Sequence, residues 1–283
     1  MLNLDDEFLL PHLRAILLTL AESWKLQAKL KIRRATHQLT NMKYFLLLTL
    51  FIIGKFSLVQ CQSTNKVKQP DTTTIQVPRV YLLYFKNGTP FDRDWTRITK
   101  LPIKDEWMQE TGRRLSEFQS TWNQEGAKYL QTVFAEIGIP FPYIEIQATL
   151  TVATVASSST PLIINVKPFL SSAEKPASMS VFPIILFHEL MHIYLRGVTD
   201  SSSLRKKYAK ESFVTLNHLH LMALEKFVLL KTGETATLQW LDHDYRTGDF
   251  PPDYKRAWEI INDIEGYQTF VNELKLMSAN KAK

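Results

Sequence analysis

The chain has 283 residues, 45% hydrophobic and 22% charged, a balance that is typical of globular proteins and excludes an intrinsically disordered chain. The formal charge is +6, but residues 1–61 hold 8 Lys+Arg against 4 Asp+Glu, so the remaining 26 basic and 24 acidic residues nearly balance. No zinc-finger, RNA-binding or helix-turn-helix signature accompanies the basic pI, and we expect no nucleic-acid partner.

Residues 42–61 have the layout of a secretory signal peptide. Met42 and Lys43 precede an apolar run from Tyr44 to Ile53, which suits a signal and is too short to span a bilayer. Because a signal begins near the start of its chain, we interpret residues 1–41 as an over-extended reading frame with translation starting at Met42. The alternative is a single membrane anchor with residues 1–41 in the cytoplasm, which the basic flank before Met42 would suit.

Cys61, the only cysteine, lies where such a signal would be cut. The stretch "LVQC" resembles a bacterial lipoprotein cleavage box, although Gln60 is bulkier than the small residue usual there. Lipidation of Cys61 and ordinary cleavage nearby are both open, and the expected location is periplasmic, extracellular or lipid-anchored to the cell envelope. We expect membrane contact only through the signal or that lipid. The processed chain has no cysteine pair, so its stability depends on its core.

Residues 62–77 are polar and aperiodic, which predicts a flexible tether, and residues 78–283 are predicted to form one α+β domain with a small mixed sheet. Apolar patterns and Gly/Pro signals predict strands at 79–85, 143–155 and 161–169, with a turn at 86–92. The same signals predict helices over 104–137, 181–197, 203–231 and 253–276, with a loop over 238–253.

The helix over 181–197 contains "HELMH" at 188–192. On a helix, His188 and His192 project from one face and can share a metal ion, while Glu189 can deprotonate a metal-bound water. The apolar flanks indicate a buried helix, in which a histidine pair requires partners. The opposing interpretation is a chance match, with both histidines bonded to backbone carbonyls.

A catalytic metal site needs a third protein ligand. It does not come from the same motif, since the positions three and six residues after His192 are Leu195 and Val198. On the next predicted helix, Glu211, His218 and Glu225 are spaced by seven and share one stripe.

We favour His218 as the third ligand because it lies mid-helix in an apolar setting, where an unpaired imidazole is costly. Glu211, Glu225 and Asp200 are alternatives. Glu211 could instead serve the helix dipole, and Glu225 could orient a ligand histidine. His220 points to the opposite side and is interpreted as a core histidine.

A hydrolytic site also needs a donor for the developing oxyanion. Residues 241–258 offer His243, Tyr245, Arg246 and Tyr254 on a segment that could close over the site. Of these, Tyr254 and His243 are the preferred catalytic candidates beside Glu189.

The motif "HELMH" with a downstream ligand helix, over residues 143–231, resembles the zincin metallopeptidases. In their gluzincin branch the downstream helix carries Asn-Glu with the glutamate as ligand, whereas this chain has Asn217-His218 in a similar place. The resemblance implies a zincin-like fold, Zn²⁺ held by His188, His192 and a third ligand on the downstream helix, and a sheet edge that binds extended peptide. His218 is our candidate for the third ligand, and residues 161–169 are the candidate for the sheet edge.

The expected function is that of an exported zinc metallopeptidase with Glu189 as general base, acting on a peptide or protein substrate. One alternative is a catalytically inactive zincin-like surface or lipoprotein domain that binds a partner. A further alternative is a membrane-anchored structural protein in which "HELMH" is coincidental.

Overall fold

The computed structural model describes residues 76–85, 88–153, 156–248 and 250–281. The predicted N-terminal extension, the signal segment with Cys61, and all but the last two residues of the tether lie outside this part of the chain. Within the described ranges, one small mixed sheet accompanies nine α-helices, which confirms the α+β class.

Four short strands form the sheet, in the spatial order β1-β2-β4-β3. They are β1 (Arg79–Leu83), β2 (Glu145–Thr151), β3 (Ser158–Ser159) and β4 (Leu162–Asn165). β1, β2 and β4 run parallel, and β3 is antiparallel to β4. In β1, Val80 and Leu82 are buried while Arg79 and Tyr81 are exposed, the alternation of a strand with one covered face.

The sheet edge beside the HELMH helix is β3, not the segment 161–169 that the sequence favoured. β4 is paired on both sides, with β2 along one and β3 along the other. Ser158 pairs with Ile163 and Ser159 with Leu162, so those residues of β4 cannot receive an added peptide. The prediction was wrong because the short serine-rich link forms a strand of its own.

Three helices connect β1 to β2: α1 (Pro90–Thr99), α2 (Asp105–Thr121) and α3 (Ala127–Ile137). The sequence predicted only a turn where α1 begins. Thr89 and Asp92 form a capping box there, in which the Thr89 hydroxyl accepts from the Asp92 amide and the Asp92 carboxylate accepts from the Thr89 amide. The two residues are three positions apart, the spacing of a helix start, which the turn assignment overlooked.

A π-helical turn, Trp122–Gly126, joins α2 to α3. A Cβ at Gly126 would lie 2.1 Å from the Trp122 ring, so only glycine lets that ring pack into the core. The helical prediction over 104–137 is otherwise confirmed, and Leu115 is the one half-buried member of the predicted core set Trp107, Leu115, Phe118, Trp122, Tyr129, Leu130 and Phe134.

The remaining helices are α4 (Phe182–Tyr194), α5 (Ser203–Lys207), α6 (Phe213–Thr232), α7 (Thr235–Thr247), α8 (Pro252–Glu259) and α9 (Tyr267–Lys281). The single helix predicted over 203–231 is two, because the Ser212 side chain accepts from the Thr215 amide and starts α6 afresh. The loop predicted over 238–253 is mostly α7. The predicted final helix is divided into α8 and α9 by a π-helical turn, Ile260–Ile264, and the residues after it.

α6 is the central helix and packs against α3, α4, α7, α8 and α9. Among the described helices it alone is long and apolar enough to cross a membrane, yet 67% of its most apolar window is buried within the domain. We therefore assign α6 to the core. Since it is enclosed on most sides, His218 and His220 are both buried although they face different neighbours.

Candidate metal centre

The first two histidines of the centre come from α4. Pro183 lies in its first turn, where a missing amide proton costs nothing, and most of the helix is buried by its own apolar residues. The ring centroids of His188 and His192 lie 5.0 Å apart, one helical turn along the same face.

His218 of α6 joins this pair. Its ring centroid lies 4.8 Å from that of His192 and 5.3 Å from that of His188. One ligand atom from each of the three rings lies within 4.8 Å of the others. Three nitrogen ligands that leave a fourth position open are the usual protein contribution to a catalytic zinc site.

The tautomer of His218 suits a metal ligand. Its Nδ1 lies 2.7 Å from the Val214 carbonyl oxygen, which only accepts, so Nδ1 carries the proton and Nε2 has a free lone pair. Nε2 is buried and has no hydrogen-bond partner in the described structure. An unpaired buried acceptor is costly, and a metal ion would satisfy it. The residues present therefore fit a bound metal.

His188 is supported by a carboxylate. Its Nδ1 lies 2.9 Å from Glu225 Oε1. An ionised carboxylate only accepts hydrogen bonds, so with Glu225 ionised Nδ1 is the donor and Nε2 is left for an ion. The Tyr245 hydroxyl donates to the other oxygen of Glu225 over 3.2 Å. Carboxylates in this position orient metal-binding histidines and raise their basicity. Glu225 therefore lies where it can orient the His188 ring, which is the second role that the sequence analysis considered for it.

The three rings are uncharged near neutral pH. Burial lowers the pKa of His188 and of His218 to about 4, and burial with the neighbouring rings lowers that of His192 to about 2. Metal ligation requires this neutral form. Burial also raises the pKa of Glu225 to about 8, and burial together with the Glu225 charge raises that of Glu189 to about 8. A metal cation held by the three rings would lower both pKa values, so both groups would be carboxylates in the metal-bound protein.

Glu189 lies beside the histidines at the wall of a cleft. The side chain is only 8% exposed and follows His188 directly on α4. His188 and Glu189 both line a cavity of about 360 Å³, together with Tyr254. A candidate base, a candidate ligand and space for a substrate group therefore meet at one place.

Tyr254 of α8 is placed where the sequence expected an oxyanion donor. Its ring centroid lies 4.1 Å from that of His218 and 6.2 Å from that of His188. Burial and the nearby carboxylates raise the pKa of its phenol to about 12, so the hydroxyl keeps its proton and can donate.

His243 is not brought to the centre. Its side chain is exposed on α7, with Nε2 3.2 Å from the Thr247 hydroxyl. Residues two apart on a helix point roughly 200° apart, so with Tyr245 facing the core His243 faces solvent. Arg246 is also exposed and pairs with Asp242 and Asp263. Neither residue can stabilise an oxyanion at the histidines.

The other candidate ligands lie elsewhere. Glu211 precedes α6 and accepts two hydrogen bonds from Arg256, at 3.0 and 2.8 Å. Asp200 is exposed and lies 4.0 Å from Arg205. His220 bonds to Glu273 over 2.8 Å on the far side of α6, as the core interpretation expected.

Sequence reasoning missed most of the cleft lining, including Trp240 and Phe250. Both lie in the segment predicted as a loop. The usable signal was the spacing of Thr237, Leu241 and Tyr245, which are buried one turn apart along α7.

Comparison with known proteins finds no matching family model, no matching curated protein and no matching solved structure. The zincin resemblance remains a prediction, and the case for a metal centre is made by the geometry of this chain.

Proposed function

We propose that the protein is a zinc-dependent metallopeptidase, with Zn²⁺ held by His188, His192 and His218. The observation that carries the proposal is the convergence of three neutral imidazoles, two buried and one half-buried, beside the carboxyl group of Glu189, with the Nε2 of His218 unpartnered. Imidazole nitrogens suit zinc, whereas magnesium and calcium prefer oxygen ligands.

Zinc, when bound, would supply a Lewis acid that polarises the peptide carbonyl and acidifies a water molecule. Glu189 takes a proton from the attacking water as the water oxygen bonds to the carbonyl carbon. When the carbon–nitrogen bond breaks, Glu189 returns that proton to the leaving nitrogen. Tyr254 donates a hydrogen bond to the negative charge on the former carbonyl oxygen, and Glu225 holds the His188 ring in place.

The sheet edge supports a peptide as the substrate. β3 contacts α4, and the preceding residues Ala156 and Ser157 line the same cavity as Glu189. An extended peptide added to this edge by backbone hydrogen bonds would pass across the histidines. The sequence of residues 42–61, outside the described structure, supports action on peptides or proteins beyond the cytoplasm, with the enzyme free or lipid-anchored through Cys61.

The test combines metal analysis with a peptidase assay on the purified full chain. We expect about one zinc per chain and cleavage of a mixed peptide library followed by mass spectrometry. Glu189→Gln should keep the zinc and abolish cleavage, and His243→Gln should change neither. A zinc-loaded protein that cleaves no peptide would favour a zincin-like binding domain. A protein that binds no zinc would contradict both the zinc peptidase and the zinc-loaded binding domain.

A further inference from the structure

We propose that residues 206–214, here called the basic segment, bind the surface of an anionic lipid bilayer, with lysine ammonium groups on the headgroups and the Phe213 ring inserted between them. The sequence led us to expect membrane contact only through the signal or a lipid on Cys61. The basic segment adds a second contact, made by the folded domain itself. This inference goes beyond the proposed peptidase function and does not depend on it.

The basic segment carries positive charge that the domain does not neutralise. Residues 205–214 read "RKKYAKESFV", with four basic residues and one acidic residue. The acidic residue, Glu211, and one of the lysines, Lys207, are each paired elsewhere in the domain. Lys206 and Lys210 are exposed, and neither pairs with a carboxylate in the described part of the chain. A lysine near an anionic bilayer raises the affinity for it about fivefold, so this charge pattern complements such a surface.

Two exposed apolar side chains end the basic segment. Phe213 is 74% exposed and Val214 is 37% exposed, whereas most of α6 after them is buried. A protein partner would need a contact area of roughly 800 Å² with an apolar centre, which two side chains do not supply. A bilayer needs no such shaped surface, because an aromatic ring flanked by lysines can enter the boundary between headgroups and acyl chains. The combination therefore favours a membrane over a protein.

Backbone hydrogen bonds hold the basic segment in shape. The Glu211 amide donates to the Tyr208 carbonyl oxygen over 2.8 Å, and the Ala209 amide donates to that of Lys206 over 3.2 Å. The Ser212 side chain caps α6, which fixes the exposed phenylalanine in the first turn of that helix. The segment is therefore already ordered before it meets a membrane, and binding costs little conformational entropy.

The basic segment lies close to the candidate metal centre. Phe213 begins α6, and His218 follows five residues later, roughly 7.5 Å along the helix axis. Val214 supplies the carbonyl oxygen that accepts from Nδ1 of His218. Docking through the phenylalanine ring would bring the three histidines near the membrane surface. Together with the proposed peptidase function, this makes protein segments beside the bilayer the accessible substrates.

The experiment places a fluorescent probe on the full chain. Cys61→Ser removes the only native cysteine and any lipid on it, and Ala209→Cys then carries a nitrobenzoxadiazole probe in the basic segment. With phosphatidylcholine vesicles that contain about one-quarter phosphatidylglycerol, we expect a blue shift and quenching by spin-labelled lipid. Vesicles of phosphatidylcholine alone should give neither. Ile98→Cys, at a 70% exposed residue of α1, is the matched control position and should not respond. A local probe separates this contact from any tethering by residues 42–61.

Substitutions separate the contribution of charge from that of the ring. Lys206→Gln combined with Lys210→Gln should raise the lipid concentration at half-maximal response at least about 10-fold. Lys128→Gln combined with Lys231→Gln makes the same change of charge at exposed lysines of another surface and should have much less effect. Phe213→Ser should also raise that concentration about 10-fold, because the inserted ring is lost. Circular dichroism checks that each variant is folded.

The outcomes are distinct from those that test the peptidase. No response of the probe in the basic segment to anionic vesicles would overturn the proposal, and so would equal effects of the two lysine pairs. A response to soluble polyglutamate with none to vesicles would assign the segment to an acidic protein partner and overturn membrane binding. Vesicle binding requires neither zinc nor turnover, so each of these results leaves the metal analysis and the peptidase assay to decide the proposed function.

Discussion

Glu225 of α6 accepts a hydrogen bond from Nδ1 of His188 of α4 over 2.9 Å, and the two side chains are 1% and 9% exposed. The same helix supplies His218, two turns earlier on a nearby face. The packing of α4 against α6 therefore sets the positions of the three proposed ligands and of the carboxylate that contacts one of them. A change that rotated one helix against the other would disturb every part of the centre.

Tyr245 is expected to influence zinc affinity although it is not a ligand. Tyr245→Phe removes the hydroxyl that donates to Glu225 and keeps the ring in its packing position. Loss of such support lowers metal affinity by roughly 10-fold. Competition with a chromogenic chelator measures the effect, and Tyr143→Phe, at an exposed ring, is the control. Equal affinity in the wild type and Tyr245→Phe would show that the hydroxyl has no such role.

His218→Ala tests the third ligand directly. The substitution removes the unpartnered Nε2 and leaves two imidazoles, so zinc affinity should fall more than the roughly 100-fold limit seen for supporting residues. Equilibrium dialysis against buffered zinc gives the affinity, and circular dichroism shows whether the helices persist. His243→Ala removes an exposed histidine and should retain full affinity. Retention of wild-type affinity by His218→Ala would assign the third ligand to another group.

Glu211→Gln addresses the carboxylate alternative. Because Arg256 holds Glu211 away from the histidines, the variant should contain as much zinc as the wild type. The pair is partly exposed, so we expect the free energy of unfolding to fall by at most about 1 kcal/mol. Metal analysis and urea unfolding measure the two quantities. A loss of zinc without a loss of structure would make Glu211 a ligand after all.

The parts of the centre that sequence reasoning located are those set by local signals. α4 was predicted over 181–197 and runs over Phe182–Tyr194, because Pro183 and Gly197 mark its ends. The seven-residue spacing of His218 and Glu225 also indicated a shared face. Spacing alone did not show that the histidine would join the cluster while the glutamate would lie behind His188, since that depends on how α6 meets α4.

The parts that sequence reasoning misplaced depend on tertiary packing. The segment 238–253 mixes aromatic and charged residues, so its helical period was hidden, and the rotation of α7 decides that Tyr245 faces inward and His243 outward. β3 has only two residues, which is too short for a recognisable strand pattern. It pairs with the edge of β4, and no local sequence pattern shows that this edge is covered.

The last prediction concerns stability in acid. Glu110 of α2 accepts hydrogen bonds from the amide and hydroxyl of Ser171 and Ser172 and from Arg114, at 2.6 to 3.0 Å. Burial opposes the charge, but these bonds prevail and lower the pKa to about 2. The pKa of Glu110 in the folded protein lies below the ordinary value of 4.5. Ionised Glu110 therefore makes its full contribution to the free energy of unfolding above pH 4.5 and loses it as the pH falls toward 2.

Glu110→Gln should therefore reduce the free energy of unfolding by about 3 kcal/mol at pH 6, and the difference from the wild type should shrink as pH falls toward 2. The amide also places a donor where Ser171 and Ser172 already donate. Urea unfolding at pH 6 and pH 3 measures the difference. Glu106→Gln, at an exposed residue of the same helix, should differ little from the wild type at either pH. Protonation removes the charge of Glu110 in the wild type, so a contribution from charge must shrink in acid. If the difference in free energy of unfolding between Glu110→Gln and the wild type stayed constant with pH, the shape of the Glu110 side chain and not its charge would account for its contribution.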